Sequence, residues 1–512
     1  MNIFDALEQS KNRYPEKDAV WAGGVTLSYA QLYDQVSCLS SALAEENLSK
    51  GERVALFLPN GPEFLIAYFA TVRLGAIAVS LNVMLKRDEV KFIVNDCEAR
   101  FLITCDRLLD QLPPLHETPT LKEIVCVDES QRAGVTGIDR VLARARDAHP
   151  SVNLAHDQGA AILYTSGTTG KSKGALLSHG NLVSNVAATV FHTGMSSNDR
   201  LICFLPLFHC FGQNFIMNAS IACGATLVLH ERFQLDTILQ SVKTNRISMF
   251  FGVPAVYLRL LSLADLEECF RSVRYCFTAA APMPIPVARQ WRQKLGRPIY
   301  EGYGLTETSP FASYNHDVEY REGSVGTPIE NVEMKVVDPE GLELPIGEQG
   351  EIAIKGPNVM LGYFRRPDET AQVIRDGWFL TGDIGKRDHD GHFYLVDRAK
   401  DMINVSGFKV WPREVEELLL QHPSVTEVGV IGVADSVSGE AVKAFVVLKQ
   451  GESLSEQILI DYARDRMAVY KAPRFVEFID ALPRNPAGKV LKRELRARAN
   501  IPENAAVSVR VA

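Results

Sequence analysis

The first two-thirds of the sequence alternate short apolar runs with segments of helical periodicity. Residues 62–73 have helical spacing and lie between two of the apolar runs. Strands separated by helices in this way are typical of parallel sheets covered on both faces. The alternation therefore predicts an α/β fold rather than a helical bundle. The predicted strands are residues 53–58, 76–81, 101–104, 123–127, 161–164, 201–205, 225–229, 248–251 and 273–277.

The pattern changes twice towards the C-terminus. After about residue 324, short strands at 332–337, 350–354 and 393–396 alternate with turns, which predicts a small antiparallel meander or barrel. After about residue 398, helices at 413–420 and 455–467 accompany strands at 425–430, 442–448 and 474–478. A unit of about 100 residues can fold alone. We therefore predict an N-terminal domain (1–398), a C-terminal domain (399–498) and a disordered tail (499–512).

Composition narrows the functional classes. Hydrophobic residues make up 46% of the 512 residues and charged residues 23%, which excludes a mainly disordered, collagenous or coiled-coil chain. The net charge of −8 argues against nucleic acid as a partner. Nine scattered cysteines predict free thiols in a reducing compartment, the cytoplasm. Charges near the N-terminus and Arg73 within the most apolar region argue against a signal peptide and a membrane span.

The run from Tyr164 to Gly174 reads YTSGTTGKSKG and follows a predicted strand. Glycines allow the backbone N–H groups to surround an anion, hydroxyls donate to phosphate oxygens and lysines neutralise charge. Thr165 stands where the Walker A pattern requires glycine, so the run is not a Walker A loop. It predicts a phosphate-binding loop of another kind, and a flexible surface loop is the alternative.

The run from Tyr300 to Pro310 reads YEGYGLTETSP. Gly302 and Gly304 leave little side chain around Tyr303, so that its ring could face a flat ligand. Glu307 could hold Mg²⁺, which prefers carboxylate and phosphate oxygens. The alternative is a tight turn with core aromatic residues.

Three further motifs carry charged residues that could contact a nucleotide. Asp383, in Thr-Gly-Asp, could accept hydrogen bonds from ribose hydroxyls. Arg398 and Lys400 lie where the sequence pattern changes, as hinge residues would. Lys489 follows Gly488 at a predicted loop tip and could approach a developing negative charge. Solvated surface charges are the alternative for each motif alone.

Together and in this order, the motifs resemble those of the adenylate-forming superfamily, which includes acyl-CoA synthetases, firefly-type luciferases and peptide-synthetase adenylation domains. Residues 301–310 are most similar to the fatty acyl-CoA synthetase branch, and the resemblance runs from about residue 10 to about 498. It implies a large N-terminal domain of two α/β subdomains and a distorted β-barrel. A small mobile α+β C-terminal domain would follow.

The resemblance implies an AMP-forming acid–thiol ligase that uses ATP, Mg²⁺ and CoA. A carboxylate would attack the α-phosphate of ATP to give acyl-AMP and pyrophosphate, and a thiol would then displace AMP. The thiol would belong to CoA or to the phosphopantetheine of a separate acyl carrier protein. The protein would be a monomer or a homodimer.

The resemblance also implies roles for individual residues. Tyr303 would stack on adenine, Asp383 and Arg398 would hold the ribose, and Glu307 would support the metal with Thr165. The implied nucleotide site is Thr165, Ser166, Gly167, Thr168, Thr169, Gly170, Lys171, Lys173, Ala280, Ala281, Pro282, Glu301, Gly302, Tyr303, Gly304, Thr306, Asp383 and Arg398.

The implied catalytic residues are Lys489, His209 and Lys400. Lys489 would bridge the attacking carboxylate and the α-phosphate during adenylation. His209 would orient the substrate carboxylate, with a structural histidine as the alternative. The C-terminal domain would then rotate about Lys400 and bring in the thiol-binding residues. These are Ser406, Gly407, Phe408 and Lys409.

The acyl site implied by the resemblance comprises His209, Phe211, Ala279 and Gly302. Ala279 replaces a glycine common in the family and would narrow the acyl channel. Nearby phenylalanines predict an apolar pocket, and each buried methylene adds about 0.8 kcal/mol. We therefore expect a medium- or long-chain fatty acid as the substrate. The phenylalanines are Phe204, Phe208, Phe211, Phe215, Phe250 and Phe251.

Four other functions remain open from the sequence. They are an aryl-acid CoA ligase, an enzyme that loads a separate carrier protein, a light-emitting enzyme and an inactive adenylation-fold binding protein. The inactive protein is disfavoured because the charged residues of every motif are present together. These residues are Lys171, Glu307, Asp383, Arg398 and Lys489.

Overall fold

A computed structural model of the protein describes residues 2–145, 152–166, 172–316, 320–398, 401–406, 408–435, 438–486 and 488–499. The strands, in chain order, are β1 (Asp18–Ala22), β2 (Val25–Ser28), β3 (Arg53–Phe57), β4 (Ile77–Ser80), β5 (Ala99–Thr104), β6 (Glu123–Cys126), β7 (Val135–Gly137), β8 (Gly159–Ser166), β9 (Ser172–Ser178), β10 (Arg200–Cys203), β11 (Thr226–Leu229), β12 (Met249–Gly252), β13 (Tyr275–Thr278), β14 (Tyr300–Tyr303), β15 (Ser313–Tyr314), β16 (Thr327–Pro328), β17 (Glu333–Val337), β18 (Gly350–Lys355), β19 (Gly362–Tyr363), β20 (Ile374–Arg375), β21 (Trp378–Arg387), β22 (Phe393–Arg398), β23 (Ile403–Val405), β24 (Phe408–Val410), β25 (Val425–Asp435), β26 (Gly439–Leu448) and β27 (Phe475–Phe478).

The α-helices are α1 (Ile3–Arg13), α2 (Tyr29–Glu45), α3 (Pro62–Arg73), α4 (Arg87–Asp96), α5 (Ile138–Leu142), α6 (His179–Thr193), α7 (Ala219–Cys223), α8 (Leu235–Thr244), α9 (Pro254–Leu261), α10 (Leu266–Cys269), α11 (Ile285–Leu295), α12 (Pro367–Val373), α13 (Pro412–Leu419), α14 (Glu456–Arg464) and α15 (Lys492–Ala499). A π-helical segment, Phe211–Asn218, precedes α7, and the 3₁₀ segments are Asp106–Gln111, Leu115–Glu117 and Thr306–Thr308. No helix in the described ranges is both long and apolar enough to cross a membrane.

Two large sheets form the first two-thirds of the chain. Within the described residues, one has the strand order β19-β9-β8-β4-β3-β5-β6-β7 and the other β16-β15-β14-β13-β12-β10-β11-β1-β2. Their central pairs are parallel, as in β3–β4 and β12–β13. Their strands are buried because the apolar runs meet helices on both faces. The predicted α/β class is confirmed.

The sheet edges differ from the parallel arrangement that the sequence predicts. β1 and β2 pair antiparallel, as do β8 and β9. The connection between β1 and β2 is Gly23-Gly24, and both glycines have positive φ. A two-residue turn of this kind joins antiparallel neighbours, whereas a parallel pair needs a longer crossover.

A turn-rich meander and a C-terminal α/β unit follow. β17, β18, β20, β21 and β22 pair antiparallel, as the turn-rich pattern predicts. The C-terminal sheet has the order β24-β23-β26-β25, and β27 runs parallel to β26. Val410, Val430 and Leu459 belong to a core of this unit, separate from the core that joins the two large sheets and the meander.

Several predicted site residues lie just beyond the carboxyl ends of parallel strands. Residues 279–282 follow β13, and residues 304–310 follow β14. In open α/β sheets, ligands bind in the crevice outside these strand ends. The topology therefore brings motifs from separate parts of the sequence to one edge.

Candidate active site

The predicted phosphate-binding motif begins at the end of β8 and finishes in β9. Thr165 pairs with Lys173, and Tyr164 pairs with Gly174. A Cβ at Gly174 would lie 2.6 Å from Ile162, so a larger side chain would not fit there. The motif connects two strands, whereas a Walker A loop opens a helix. Gly167, Thr168, Thr169, Gly170 and Lys171 lie outside the described residues, as does the side chain of Ser166.

Glu307 lies at the centre of a polar cluster that joins two motifs and Tyr363. It belongs to the 3₁₀ segment after β14, and Tyr363 Oη donates a hydrogen bond to its Oε1 at 3.0 Å. Thr165 Oγ1 donates to the same oxygen at 3.5 Å. Lys173 Nζ lies 5.2 Å from the centre of the Tyr363 ring. The phosphate hairpin and the predicted metal ligand therefore meet.

Burial raises the pKa of Glu307, and only hydrogen bonds and the more distant Arg398 oppose this shift. A nearby cation would favour the charged form of such a carboxylate. The donor set suits Mg²⁺, which combines one or two carboxylates with phosphate and water oxygens. Glu307 and the Thr165 hydroxyl therefore fit a magnesium ion bound to ATP phosphates.

The predicted adenine and ribose residues form a second polar cluster. Tyr303 Oη donates to Asp383 Oδ2 at 2.8 Å, and Arg398 Nε lies 3.2 Å from Asp383 Oδ1. Asp383 and Arg398 are register partners across β21 and β22. The structure thus brings together three residues that the sequence assigned to one nucleotide.

Glu301 lies beside the 279–282 segment. Its Oε1 accepts a hydrogen bond from the Met283 N–H at 3.2 Å, and Ala280 has a φ of +70°. Burial raises the pKa of Glu301 to about 7, against the opposing charge of Arg413. Arg413 is in the C-terminal unit, so this carboxyl lies where the two parts of the chain meet.

The two glycines beside Tyr303 are required by packing within the protein. A Cβ at Gly302 would lie 2.6 Å from Phe277 and 2.9 Å from Phe311. A Cβ at Gly304 would lie 1.5 Å from the Pro310 carbonyl oxygen. The space beside Gly302 and Gly304, which the sequence analysis interpreted as room for a ligand, is therefore filled by other groups of the protein.

The charge of Lys489, in the C-terminal unit, acts on His209. Burial is the main cause that lowers the pKa of His209 to about 4, and the Lys489 ammonium lowers it further. His209 Nδ1 accepts a hydrogen bond from the Phe211 N–H at 3.2 Å, so its proton is assigned to Nε2. A Cβ at Gly488 would lie 2.5 Å from Val253, which follows β12. The lysine-bearing loop is therefore docked on the large sheet.

The predicted thiol-binding residues lie on the β23–β24 hairpin. Phe408 is 56% exposed, and its ring stacks on Tyr470 at 4.7 Å. The Ser406 N–H donates to the Ser438 carbonyl at 2.8 Å, and Lys409 is exposed. These contacts are within the C-terminal unit, whereas Gly488, next to Lys489, packs against Val253 beside the large sheet. Lys400 and Gly407 lie outside the described residues.

Phenylalanines beside the predicted acyl site pack against one another. Phe215 stacks on Phe277 with ring centres 4.6 Å apart, and it meets Phe211 and Phe311 edge-on at 5.4 and 5.0 Å. Ala279 is half-buried just after β13. Phe204 and Phe250 belong to the same buried core, and their ring centres are 5.5 Å apart.

Two family models match this chain. Residues 7–364 match an AMP-binding enzyme, and residues 414–489 match an AMP-binding enzyme C-terminal domain. The first match alone covers more than half of the chain. The chain belongs to the AMP-binding enzyme family. The predicted adenylate-forming ligase class is confirmed, with its use of ATP, Mg²⁺ and CoA.

Members of the AMP-binding enzyme family resemble this chain over nearly its whole length. A long-chain-fatty-acid–CoA ligase of Bacillus subtilis (strain 168) is 34% identical over 96% of this chain and 93% of its own. A feruloyl-CoA synthase of an Amycolatopsis species is 36% identical, over 94% of this chain and 96% of the synthase. MatB from Rhodopseudomonas palustris, in its ATP-bound crystal structure, is 33% identical in sequence. The match covers 97% of this chain and 99% of MatB, with a TM-score of 0.89.

This AMP-binding enzyme also contains site residues that the sequence analysis missed. Tyr363 contacts Glu307, although it lies in a two-residue strand far from the other motifs. Arg413 lies near Glu301 and bonds the Leu395 carbonyl at 2.8 Å. Neither residue belongs to a sequence run of unusual composition. Tyr363 could be identified only from the pairing of β19 with β9, and Arg413 only from the docking of α13.

Proposed function

We propose that this AMP-binding enzyme activates a carboxylic acid as acyl-AMP and then transfers the acyl group to CoA. The observation that carries the proposal is the docking of the Gly488–Lys489 loop against Val253, beside the large sheet, with the Lys489 charge lowering the pKa of His209. Lys489 comes from the C-terminal unit, whereas His209 lies beside the strand ends that carry the nucleotide motifs. A cation from a separate unit would thus act where a carboxylate and an α-phosphate meet.

In the proposed first step, a carboxylate oxygen attacks the α-phosphorus, and the bond to the β-phosphate breaks to release pyrophosphate. The carboxylate is already ionised at neutral pH, so the step needs no general base. The Lys489 ammonium would stabilise the negative charge that develops on the carboxylate and the phosphate. The neutral His209 would donate from Nε2 to the substrate carboxylate.

Glu307 and Thr165 would hold the magnesium ion, which would neutralise charge on the ATP phosphates. The hairpin residues, including Lys173, would hold the β- and γ-phosphates. Two lone-pair positions on Asp383 remain for ribose hydroxyls beside its contacts to Tyr303 and Arg398. The Tyr303 ring and residues 280–282 would enclose the adenine.

In the proposed second step, the CoA thiolate attacks the acyl carbon and AMP leaves. We propose that residues 399–498 form a domain that rotates about Lys400 between the two steps. Its rotation would withdraw Lys489 and bring residues 406–409 to the acyl-AMP. The separate core of the C-terminal unit supports rotation as a body, since such a unit keeps its packing when it moves.

For the acid, we propose a medium- or long-chain fatty acid, bound beside His209, Phe211, Ala279 and Gly302. The apolar phenylalanines and the similarity to a long-chain-fatty-acid–CoA ligase support this assignment. An aryl acid is the second candidate. The close aromatic packing of Phe211, Phe215 and Phe277 favours a flat ring, and the feruloyl-CoA synthase is a relative of similar identity.

The remaining assignments concern the setting in which the enzyme works. CoA is the acceptor that the family uses, and the phosphopantetheine of a separate carrier protein is the alternative that the test below includes. We propose a monomer or homodimer. We also propose a cytoplasmic location. All nine cysteines lie in the described residues and are free thiols, as expected in a reducing compartment.

The test is incubation of the purified protein with Mg-ATP and acids from acetate to palmitate, together with benzoate and ferulate. Each acid is tested with and without CoA, and pyrophosphate and thioesters are quantified. Acyl-CoA formed from a single range of chain lengths would support the fatty-acid assignment, and preference for the aryl acids would replace it. Acyl-AMP that is never passed to CoA would favour a carrier protein. Absence of pyrophosphate with every acid would contradict the proposed function.

A further inference from the structure

We propose that three buried asparagines, Asn185, Asn214 and Asn358, are positioning residues for adenylation because they hold the loop that carries Glu307. This inference rests on the proposed function. We define the Glu307 loop as residues 306–311. The asparagines come from α6, the π-helical segment and the loop after β18, and each is at most 1% exposed.

Their amide groups donate to the backbone carbonyls of the Glu307 loop. Asn185 Nδ2 lies 2.6 Å from the Phe311 carbonyl, and Asn358 Nδ2 lies 2.9 Å from the same oxygen. Both also donate to the Thr308 carbonyl, at 3.4 and 3.2 Å. Asn214 Nδ2 donates to the Ser309 carbonyl at 2.7 Å. Three successive non-proline carbonyls after Glu307 are thus bonded to side-chain amides.

These bonds matter because the loop does not continue into a helix or strand that would satisfy its carbonyls. Ser309 has a φ of +73°, and Thr308 and Ser309 are fully buried. Buried backbone carbonyls without a partner are costly. The amides therefore stabilise one conformation of the loop, the one in which Glu307 accepts from Tyr363.

Each asparagine also connects the loop to another part of the site. Asn185 lies on α6, which directly follows β9 of the phosphate hairpin. Asn214 lies in the π-helical segment that begins two residues after His209. Asn358 lies shortly before Tyr363, and its carbonyl accepts from Ser309 Oγ at 2.9 Å. The amides therefore fix Glu307 relative to the hairpin, to His209 and to Tyr363.

The test compares Asn185→Leu, which keeps a similar shape but removes both donors, with Asn315→Leu. Asn315 is 1% exposed and donates to the Arg321 and Ser324 carbonyls, so the control removes equivalent buried bonds from a different loop. Asn358→Ala changes a loop rather than a helix and is the second test variant. The readouts are the melting temperature, the Mg²⁺ concentration for half-maximal pyrophosphate release, and calorimetric binding of Mg-ATP without an acid.

We expect Asn185→Leu and Asn358→Ala each to raise the half-maximal Mg²⁺ concentration and to slow adenylation by at least about 10-fold, because each removes two or more buried hydrogen bonds and the loss of one costs about that much. Since both residues share the Phe311 and Thr308 carbonyls, the double variant should lose more than the product of the single effects. Asn315→Leu should lower the melting temperature and keep the wild-type Mg²⁺ dependence.

Variants that lose thermal stability but retain wild-type Mg²⁺ dependence and Mg-ATP affinity would overturn the inference, because the amides would then be purely structural. The calorimetric measurement needs no acid substrate. Failure of the wild type to activate any acid would therefore count against the proposed function, and unchanged Mg-ATP binding in the asparagine variants would count against this inference.

Discussion

Lys489 lies close enough to His209 to lower the pKa of that histidine. Replacing Lys489 by alanine would remove the cation at the point where charge develops during adenylation. We expect pyrophosphate release to fall by about 10²–10³, the usual cost of one preorganised charge contact. Thioester formation from supplied acyl-AMP should change much less. Lys449→Ala, which removes an exposed lysine from the same unit, is the control, and equal activity of the two variants would contradict the assignment.

The raised pKa of Glu301 predicts how the stability of the protein changes with pH. Its folded-state pKa is about 7, above the ordinary value of 4.5, because the carboxyl is buried. Between these values the folded protein binds the proton more tightly than the unfolded chain, so stability falls as pH rises from 4.5 through 7. Glu301→Gln should therefore melt higher than the wild type at pH 8 and by a much smaller margin at pH 5. A difference of the same size at both pH values would contradict this account.

Helix α13 begins at the junction between the C-terminal unit and the meander. The Arg413 N–H donates to Asp397 Oδ2 at 2.9 Å, and Arg413 Nη1 donates to the Leu395 carbonyl at 2.8 Å, so the helix start is bound to β22. These bonds hold the C-terminal unit in the orientation in which Lys489 approaches His209.

Arg413→Ala should therefore slow adenylation several-fold without slowing thioester formation from supplied acyl-AMP. The measurement is the rate of each half-reaction with the acid that the wild type prefers. Lys471→Ala is the matched control because Lys471 pairs with Glu414 on the exposed side of the same helix. Equal slowing of both half-reactions by Arg413→Ala would instead indicate a general loss of structure.

At the scale of the whole molecule, two different surfaces of the C-terminal unit are assigned to the two steps. The loop with Lys489 packs against Val253 beside the large sheet, and Phe408 and Lys409 on the hairpin are exposed. If rotation exchanges them, Lys409→Ala should retain adenylation within about twofold and slow acyl-CoA formation about 10-fold, as expected when one contact to a charged group is lost.

Rates of pyrophosphate release and acyl-CoA formation, measured on the same enzyme preparation, would test this separation. The exposed-lysine variant Lys449→Ala again provides the control for loss of charge. If Lys409→Ala slowed both rates equally, or neither, the rotation proposal would lose its support.

The class of fold and the family could be predicted from the sequence because both depend on local patterns. Each of the nine strands predicted in the first two-thirds is present with ends within two residues of the prediction. Apolar periodicity reports burial directly, and glycine, hydroxyl and lysine residues close together indicate anion binding wherever the run lies. The ordered motifs were therefore sufficient to identify the family.

Tertiary structure alone decided which residues surround Glu307. Thr165 is 142 positions away in the chain, Tyr363 is 56 away, and Asn185 bonds a carbonyl 123 positions from it. A single tyrosine or asparagine leaves no periodic signal, so its role depends on which strands pair and which helices pack together. The same holds for Gly302 and Gly304, whose neighbours are phenylalanine rings and a carbonyl brought close by the fold. Local sequence thus determined which functional side chains are present, and long-range packing determined how they are placed around Glu307.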